Sequence, residues 1–422
     1  MEMKRTLALL FFTGILGVAT SLTGGKLNAE SPSKSTQLNS RTVFERRILP
    51  IFKSASPSTC SECHLSGVDL KQYILPSEGE TFASLLKQGL IDAKKPDESR
   101  LLKLMRMSTP KSAILTKEAR EREYEAFREW IETAVKDAKL GGSPTLKIGP
   151  SVSNKVIQHT RIDSVIDSFT RNIWSQEGRC MGCHRPGTTE NEGFYKQYGE
   201  RVRWFVPDDP EATMRKILAQ KLVDVENPGQ SLLLLKPMNK TPHGGGEKFV
   251  ENDTTYRMFR GWIDDYVKSV KGKYLSEKDL PEPTKVGLAY TQSILEVNQT
   301  PESWIKKSLT VEIYAWNTSL KDWEPKLIAT GDREVGDNRA TNVLVFRVFP
   351  AGGPEEKAAW RQTRLASGRY LLKYFVNTAP QISKVALANS PAFYQGKQEI
   401  ISDWKTGWGG LTHVAVKIDT GK

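Results

Sequence analysis

The sequence predicts a multidomain α + β protein: two all-α domains in tandem, followed by a C-terminal all-β sandwich. Three observations lead there. Residues 82–135 lie on residues 214–267 without a gap, matching Leu90 with Leu222, Asp92 with Asp224, Pro96 with Pro228 and Ser99 with Ser231. The match continues through Thr109-Pro110 on Thr241-Pro242, Tyr124 on Tyr256, Phe127-Arg128 on Phe259-Arg260 and Trp130-Ile131 on Trp262-Ile263, so one domain occurs twice. Each copy is preceded by a Cys-x-x-Cys-His segment, Cys60 to His64 and Cys180 to His184, and together these hold all four cysteines. Beyond about residue 300 the apolar residues stop recurring at helical spacing and begin to alternate.

Taken in order, residues 1–29 open with Lys4 and Arg5. An apolar run from Leu7 to Val18 and a small, polar stretch ending Leu27-Asn28-Ala29 follow. This is the layout of a secretory signal peptide; the alternative is an uncleaved N-terminal anchor, for which the run is short. Either way the bulk of the protein is expected to be exported, which in a bacterium means the periplasm or beyond. Residues 30–40, rich in Ser, Pro, Lys and Asn, read as a flexible lead-in. The first helical domain, 41–140, begins with helically spaced apolar residues from Arg41 to Phe52 and ends in an amphipathic helix from Glu118 to Val135. The second, 155–272, has Phe169 to Trp174 before its Cys-x-x-Cys-His segment and a closing helix from Thr254 to Val267. It is twelve residues longer ahead of the repeat, and the extra length is placed in a loop containing Pro186-Gly187 and Pro207 to Pro210. Residues 273–300 read as a linker. In 301–422 the alternating runs Leu309–Ala315, Val343–Val348, Tyr370–Val376 and Leu411–Val416 read as strands of an immunoglobulin-like sandwich. Trp404 and Trp408 there would form an aromatic binding surface or pack the sandwich edge.

The chemistry lies in the cysteine segments. Two thiols three residues apart sit on one face of a helical turn and can close thioether links to a haem edge, and the next residue, histidine, then reaches the iron. A zinc site would need the two pairs close in sequence, and more than a hundred residues separate them. A disulfide within each pair would close a strained loop. The reading is therefore two haem c groups, bound through Cys60, Cys63, Cys180 and Cys183, with His64 and His184 as proximal iron ligands. Export agrees with it, because covalent haem is attached outside the bacterial cytoplasm.

A resemblance supplies the other axial ligands. Met105-Arg-Met107-Ser-Thr-Pro110, ahead of Leu115-Thr-Lys-Glu118 and Trp130-Ile131, resembles the Met-Pro…Leu-Thr-x-Glu…Trp-Ile pattern of single-haem cytochrome c domains. It implies that Met107 is the distal ligand, with Met105 as rival and Lys111, opposite His243 in the gapless alignment, as an outsider. From Ile217 to Val267 the second copy is similar to a subgroup of bacterial cytochrome c domains with a Pro-His-Gly-Gly-Gly loop, here Pro242 to Gly246. That implies His243 as distal ligand, with Met238 as rival, and glycines that let backbone approach the haem. On this resemblance the fold class becomes two all-α cytochrome c-like domains followed by the sandwich. His159 and His413 read as surface or core histidines.

The formal charge of +12 is spread along the chain. No Arg/Lys block with interleaved aromatics points to nucleic acid, and the basic surface suits acidic redox partner proteins. No stretch beyond the N-terminal segment is long and apolar enough for an integral membrane domain. Two function classes remain: an exported dihaem electron carrier whose β domain docks a partner or a surface, and a dihaem enzyme resembling bacterial cytochrome c peroxidases. An enzyme needs an iron with an open position. Candidate ligands for both irons, and the lack of a recognisable peroxidatic loop, favour the carrier, and no catalytic residue is assigned.

Overall fold

The computed structural model describes residues 39–53, 58–64, 73–107, 115–140, 153–282, 285–351, 356, 364–377 and 391–418. The first helical part begins with α1 (Ser40–Val43), which runs through a π-helical turn, Phe44–Ile48, into α2 (Leu49–Lys53). It continues with α3 (Thr59–Cys63), α4 (Glu78–Lys87), α5 (Arg100–Met105) and the long α6 (Lys117–Lys136). Apolar residues three and four apart put Phe127, Trp130, Ile131 and Ala134 of α6 on one face, buried with Phe44, Ile48 and Phe82. The indole of Trp130 satisfies its single donor on Glu78, 3.1 Å away, as a buried tryptophan must.

The second part comprises α7 (Asn154–Thr160), α8 (Ile162–Asn172), α9 (Met181–His184), α10 (Thr189–Tyr198), α11 (Pro210–Ala219), α12 (Leu232–Leu235) and α13 (Thr254–Val270). Its core gathers Phe169, Ile217, Trp262 and Ile263, with Phe169 and Trp262 edge to face at 5.1 Å. Between α9 and α11, where the sequence leads one to expect a loop, the chain folds as α10 and a 3-10 turn, Gly199–Val202.

The internal repeat is written in hydrogen bonds as well as in letters. The Asp92 N–H donates to Ser99 Oγ and the Asp224 N–H to Ser231 Oγ, both at 3.0 Å. The Asp92 carboxylate in turn accepts from the N–H groups of Lys94 and Lys95, and that of Asp224 from Glu226 and Asn227. The Leu101 N–H reaches Leu90 O at 2.9 Å, and the Leu233 N–H reaches Leu222 O at 3.0 Å. In each copy a buried serine and an Asx turn fold one corner, which is why these small polar residues recur.

The C-terminal part holds β1 (Val286–Asn298), β2 (Ser308–Asn317), β3 (Asp322–Trp323), β4 (Ala329–Glu334), β5 (Thr341–Pro350), β6 (Gly368–Asn377), β7 (Tyr394–Ser402) and β8 (Thr412–Ala415). They form one eight-stranded sheet in the order β7-β6-β2-β4-β5-β1-β8, with β3 paired to β2 alone. Pairing is antiparallel except between β1 and β8. The two edge strands meet through side chains: Gln398 donates to Ala415 O at 3.0 Å and accepts from the Lys417 N–H at 2.9 Å, while Ser402 and Thr412 share a 3.1 Å bond. The sheet thus curls into a nearly closed barrel around Leu295, Val311, Val345, Leu372 and Trp404. At Gly331 of β4 a Cβ would lie 2.1 Å from the carbonyl oxygen of Leu344 on β5, so only glycine lets those strands approach.

The expected fold class is therefore corrected. Instead of two facing sheets of a β-sandwich there is a single mixed, barrel-like sheet, because the inward residues of every long strand converge on one core and the edges bond to each other. Nor does the structure show two all-α cytochrome c-like domains standing apart from it. Ser40–Lys422 is one compact unit, and Met258 of α13 is buried among Leu288, Ile294, Leu344 and Phe346 of the sheet. An all-α domain would have closed its own core. Within 273–300, read as a linker, the structure places β1, whose polar residues Tyr290 to Ser293 interrupt the alternation and the β1–β5 register.

Candidate cofactor cavity

The Cys180–His184 segment is a tight helical turn: Cys183 N–H and His184 N–H both donate to Cys180 O, at 3.2 and 3.1 Å. Asn191 of α10 donates to Cys183 O at 2.8 Å, which ties that turn to the helix the first copy does not share in sequence. The His184 imidazole sits 4.6 Å from the Trp204 ring, and its Nδ1 lies 3.0 Å from Val202 O.

His243 is held by the glycines after it. The Gly246 N–H donates to His243 O at 2.9 Å, and Gly246 adopts a left-handed φ of 66°, which a residue with a Cβ resists. The same turn places Gly246 O 2.9 Å from His243 Nδ1. At Gly244 a Cβ would stand 2.7 Å from the Phe194 ring, so the loop can pass over α10 only because the position is bare.

Across the intervening space the His184 and His243 rings stand 6.2 Å apart, centre to centre, with planes 8° from parallel. Each Nδ1 faces a backbone carbonyl and so carries the proton, which leaves Nε2 with its lone pair; metal-bound histidines are fixed this way. Burial lowers the pKa of His184 to about 4. Burial also lowers that of His243, with Lys248 and Lys236 acting in the same direction against the Gly246 carbonyl. Both rings are thus neutral near pH 7, the form that ligates. Two metal–nitrogen bonds of about 2 Å, with each ring centre roughly 1 Å further back, need a spacing of roughly 6 Å. The observed ring-centre spacing is of that size.

The cavity that contains both rings has a volume of about 670 Å³, within the range of cofactor sites. Phe194, Tyr198, Trp204, Leu222, Leu233 and Phe259 give it apolar walls, and Cys180 and Cys183 line it too. Two thiols, two neutral imidazoles and apolar walls are residues that would fit a flat, apolar, metal-bearing cofactor. Burial pushes the Cys180 thiol pKa up, so that the thiol is held neutral.

The structure thus brings Cys180, Cys183, His184 and His243 together. Met238, the rival of His243, packs against the second helical core instead. In the first part, Ser58 caps α3 by accepting from the Ser61 N–H, and the Thr59 N–H donates to Glu123 of α6 at 2.7 Å. Cys60 and Cys63 lie on α3, Cys60 against the first core, and the His64 N–H donates to Cys60 O at 2.9 Å. Met105 packs on that core, whereas Met107 lies just past α5 with its N–H on Leu104 O. Segments 65–72 and 108–114, with Lys111, fall outside the described residues.

His159 is paired with Asp265 at 2.7 Å, and His413 with Glu296. Trp404 is fully buried while Trp408 is 59% exposed, so they do not share one binding surface. Among the described residues no group of three or more His, Cys, Asp and Glu converges as a metal cage, and no helix is long and apolar enough to cross a membrane. Sequence reasoning missed Arg179, Phe194 and Trp204 in the cavity wall. Only the position of Arg179, directly before Cys180, could have drawn attention to it. No protein-family model matches the chain, and no curated protein and no solved structure does.

Proposed function

We propose that the chain is an exported dihaem c-type cytochrome that passes electrons between redox partner proteins. The observation that carries the reading is the pair His184 and His243, 6.2 Å apart with tautomers set by Val202 and Gly246, in an apolar cavity lined by Cys180 and Cys183. Haem bound there supplies one-electron chemistry. The chain's own part is to anchor the haem through Cys180 and Cys183, to offer an imidazole on each side and to keep water away with Phe194, Trp204 and Phe259. Were both imidazoles to hold the iron, no position would be left for peroxide, which favours a carrier over a peroxidase-like enzyme. A second haem at Cys60, Cys63 and His64, with Met107 as its distal ligand, completes the proposal. The basic charge favours acidic partners, and the barrel is the part available for docking a partner or a surface.

The test is the purified protein. Acid-acetone extraction should leave the haem on the chain, and the oxidised and reduced spectra should show the second haem low spin. Haem that extracts, or a chain that carries none at Cys180 and Cys183, overturns the reading.

A further inference from the structure

We propose that the outer face of the barrel around Trp316 and Trp323 is a binding site for a neutral hexose polymer. The inference does not rest on the haem reading. Met258 and Asp332 tie the helical part to β1, β4 and β5, whereas this site is built on β2, β3, β6 and β7. Strand alternation turns Val311, Ile313 and Ala315 of β2 into the barrel core and so turns Tyr314 and Trp316 outward. Trp316 pairs with Trp323 of β3 across the hairpin, their ring centres 5.1 Å apart and their planes at 77°. Both residues are partly exposed. Asn317 holds the turn between them: its Oδ1 accepts from the N–H groups of Ser319 and Leu320 at 2.8 and 2.9 Å, and its Nδ2 donates to Glu324 at 2.6 Å. The two indoles are therefore positioned before anything binds.

The charges beside the rings are balanced. The Arg369 guanidinium of β6 stands 4.3 Å from the Trp316 ring centre and 5.8 Å from that of Trp323, and it pairs with Glu399 of β7 at 3.0 Å. Further along the same face Lys373 lies opposite Glu312 in register and 4.2 Å from the Tyr314 ring centre, while the Tyr314 hydroxyl donates to Glu312 at 2.7 Å. In a chain with a formal charge of +12, so matched a face does not suit an acidic protein or an acidic polymer. It offers aromatic surface flanked by donors and acceptors instead. Neither the Trp316 nor the Trp323 indole N–H has a hydrogen-bond partner among the described residues, whereas those of the core residues Trp130 and Trp262 do. A pyranose ring is the complement of such a face. Its C–H side is apolar and lies against an indole, and its rim of hydroxyls reaches N–H groups, guanidinium and carboxylate. Leu320 at the hairpin tip is 62% exposed and Ile401, opposite Arg369, is 83% exposed. They carry the apolar surface beyond the two indoles, which suits a chain of sugars rather than one.

The test is affinity electrophoresis of the full-length protein in native gels cast with hydroxyethyl cellulose, soluble starch or galactomannan. At least one of these polymers should retard it. Trp316→Ala and Trp323→Ala should each raise the dissociation constant tenfold or more, and Arg369→Gln should raise it too. Trp408→Ala, which removes an exposed tryptophan from the loop before β8, should leave it unchanged. If Trp316→Ala fails to fold, Trp323→Ala, on the short β3, still carries the test. Retardation by none of the three polymers overturns the site, as does retardation that survives in folded Trp323→Ala or weakens equally in Trp408→Ala. Sedimentation in which the free protein pairs with itself and Trp323→Ala stays single would overturn it in favour of a second copy of this chain. These outcomes read the same whether or not haem is bound.

Discussion

Asp332, on β4, accepts a hydrogen bond from the backbone N–H of Thr254 and another from the guanidinium of Arg257, each at 2.6 Å. Both donors belong to the first turn of α13, the helix that carries Trp262 into the second core. The sheet thus supplies the negative charge that a helix N-terminus attracts, and Arg333 beside it pairs with Glu247. The barrel is fastened to the helical part at the loop that follows His243.

Removing that fastening should be expensive. Asp332→Ala leaves the Thr254 N–H without its acceptor and takes the counter-charge from Arg257, which keeps only Asn252 O and Thr254 Oγ1, and breaking such a pair costs about 3 kcal/mol. Urea unfolding should show a lower midpoint. A change below about 0.5 kcal/mol would mean that water replaces the carboxylate freely.

The same helix end predicts a pH dependence. Asp253 caps α13, accepting from the Tyr256 N–H at 2.8 Å, and its pKa is raised to about 7 by burial first and by Asp332 second. A carboxyl whose folded pKa lies above its unfolded value favours the folded state below the unfolded pKa, about 4. That contribution is lost as pH rises through about 7. Stability should therefore decline between pH 4 and 7, by on the order of a few kcal/mol at most. Asp253→Asn, which can still cap the helix, should flatten the decline. Unfolding curves at pH 5 and 8 with an unchanged slope in the variant would contradict this.

The paired serines test the repeat. Ser99→Ala and Ser231→Ala each strip the acceptor from one half-buried N–H, that of Asp92 or Asp224. Each should cost about 1–2 kcal/mol, and the double variant should lose the sum to within roughly 0.5 kcal/mol, since the corners are independent. Strongly unequal costs would show that only one corner is built on this bond.

The axial assignment separates His243 from Met238. His243→Ala should turn one haem high spin and leave the other as it was, while Met238→Ala, at a partly buried position, should lower stability by about 1 kcal/mol without changing either spectrum. The opposite spectral pattern would give the ligand role to Met238.

Cys60→Ala with Cys63→Ala should halve the covalent haem per chain, measured as the haemochrome, and leave the spectrum of the second site intact. Full haem content in that variant would remove the first attachment site.

The sequence by itself determined what is local. Two thiols and a histidine on a single turn, a repeat whose serine and aspartate fold the same corner, and strands with alternating residues all depend on neighbours a few positions apart. Spacing could carry that information. His243 also came from the sequence, through the resemblance of its glycine-rich loop, but its place opposite His184 came from folding. The two are brought together by α10 under Gly244 and by backbone carbonyls at Val202 and Gly246, partners that no side-chain pattern encodes. The form of the β part was likewise decided in three dimensions. A run such as Tyr370 to Val376 alternates equally well in a sandwich or a barrel, and the difference lies in whether edge residues such as Gln398 find Ala415 and Lys417. Met258 shows the limit most plainly: it lies in a helix read as closing an all-α domain, and only the tertiary structure revealed that its neighbours are Leu288 and Phe346 of the sheet. Apolar periodicity says that a face is buried; what covers it depends on chain far away in sequence.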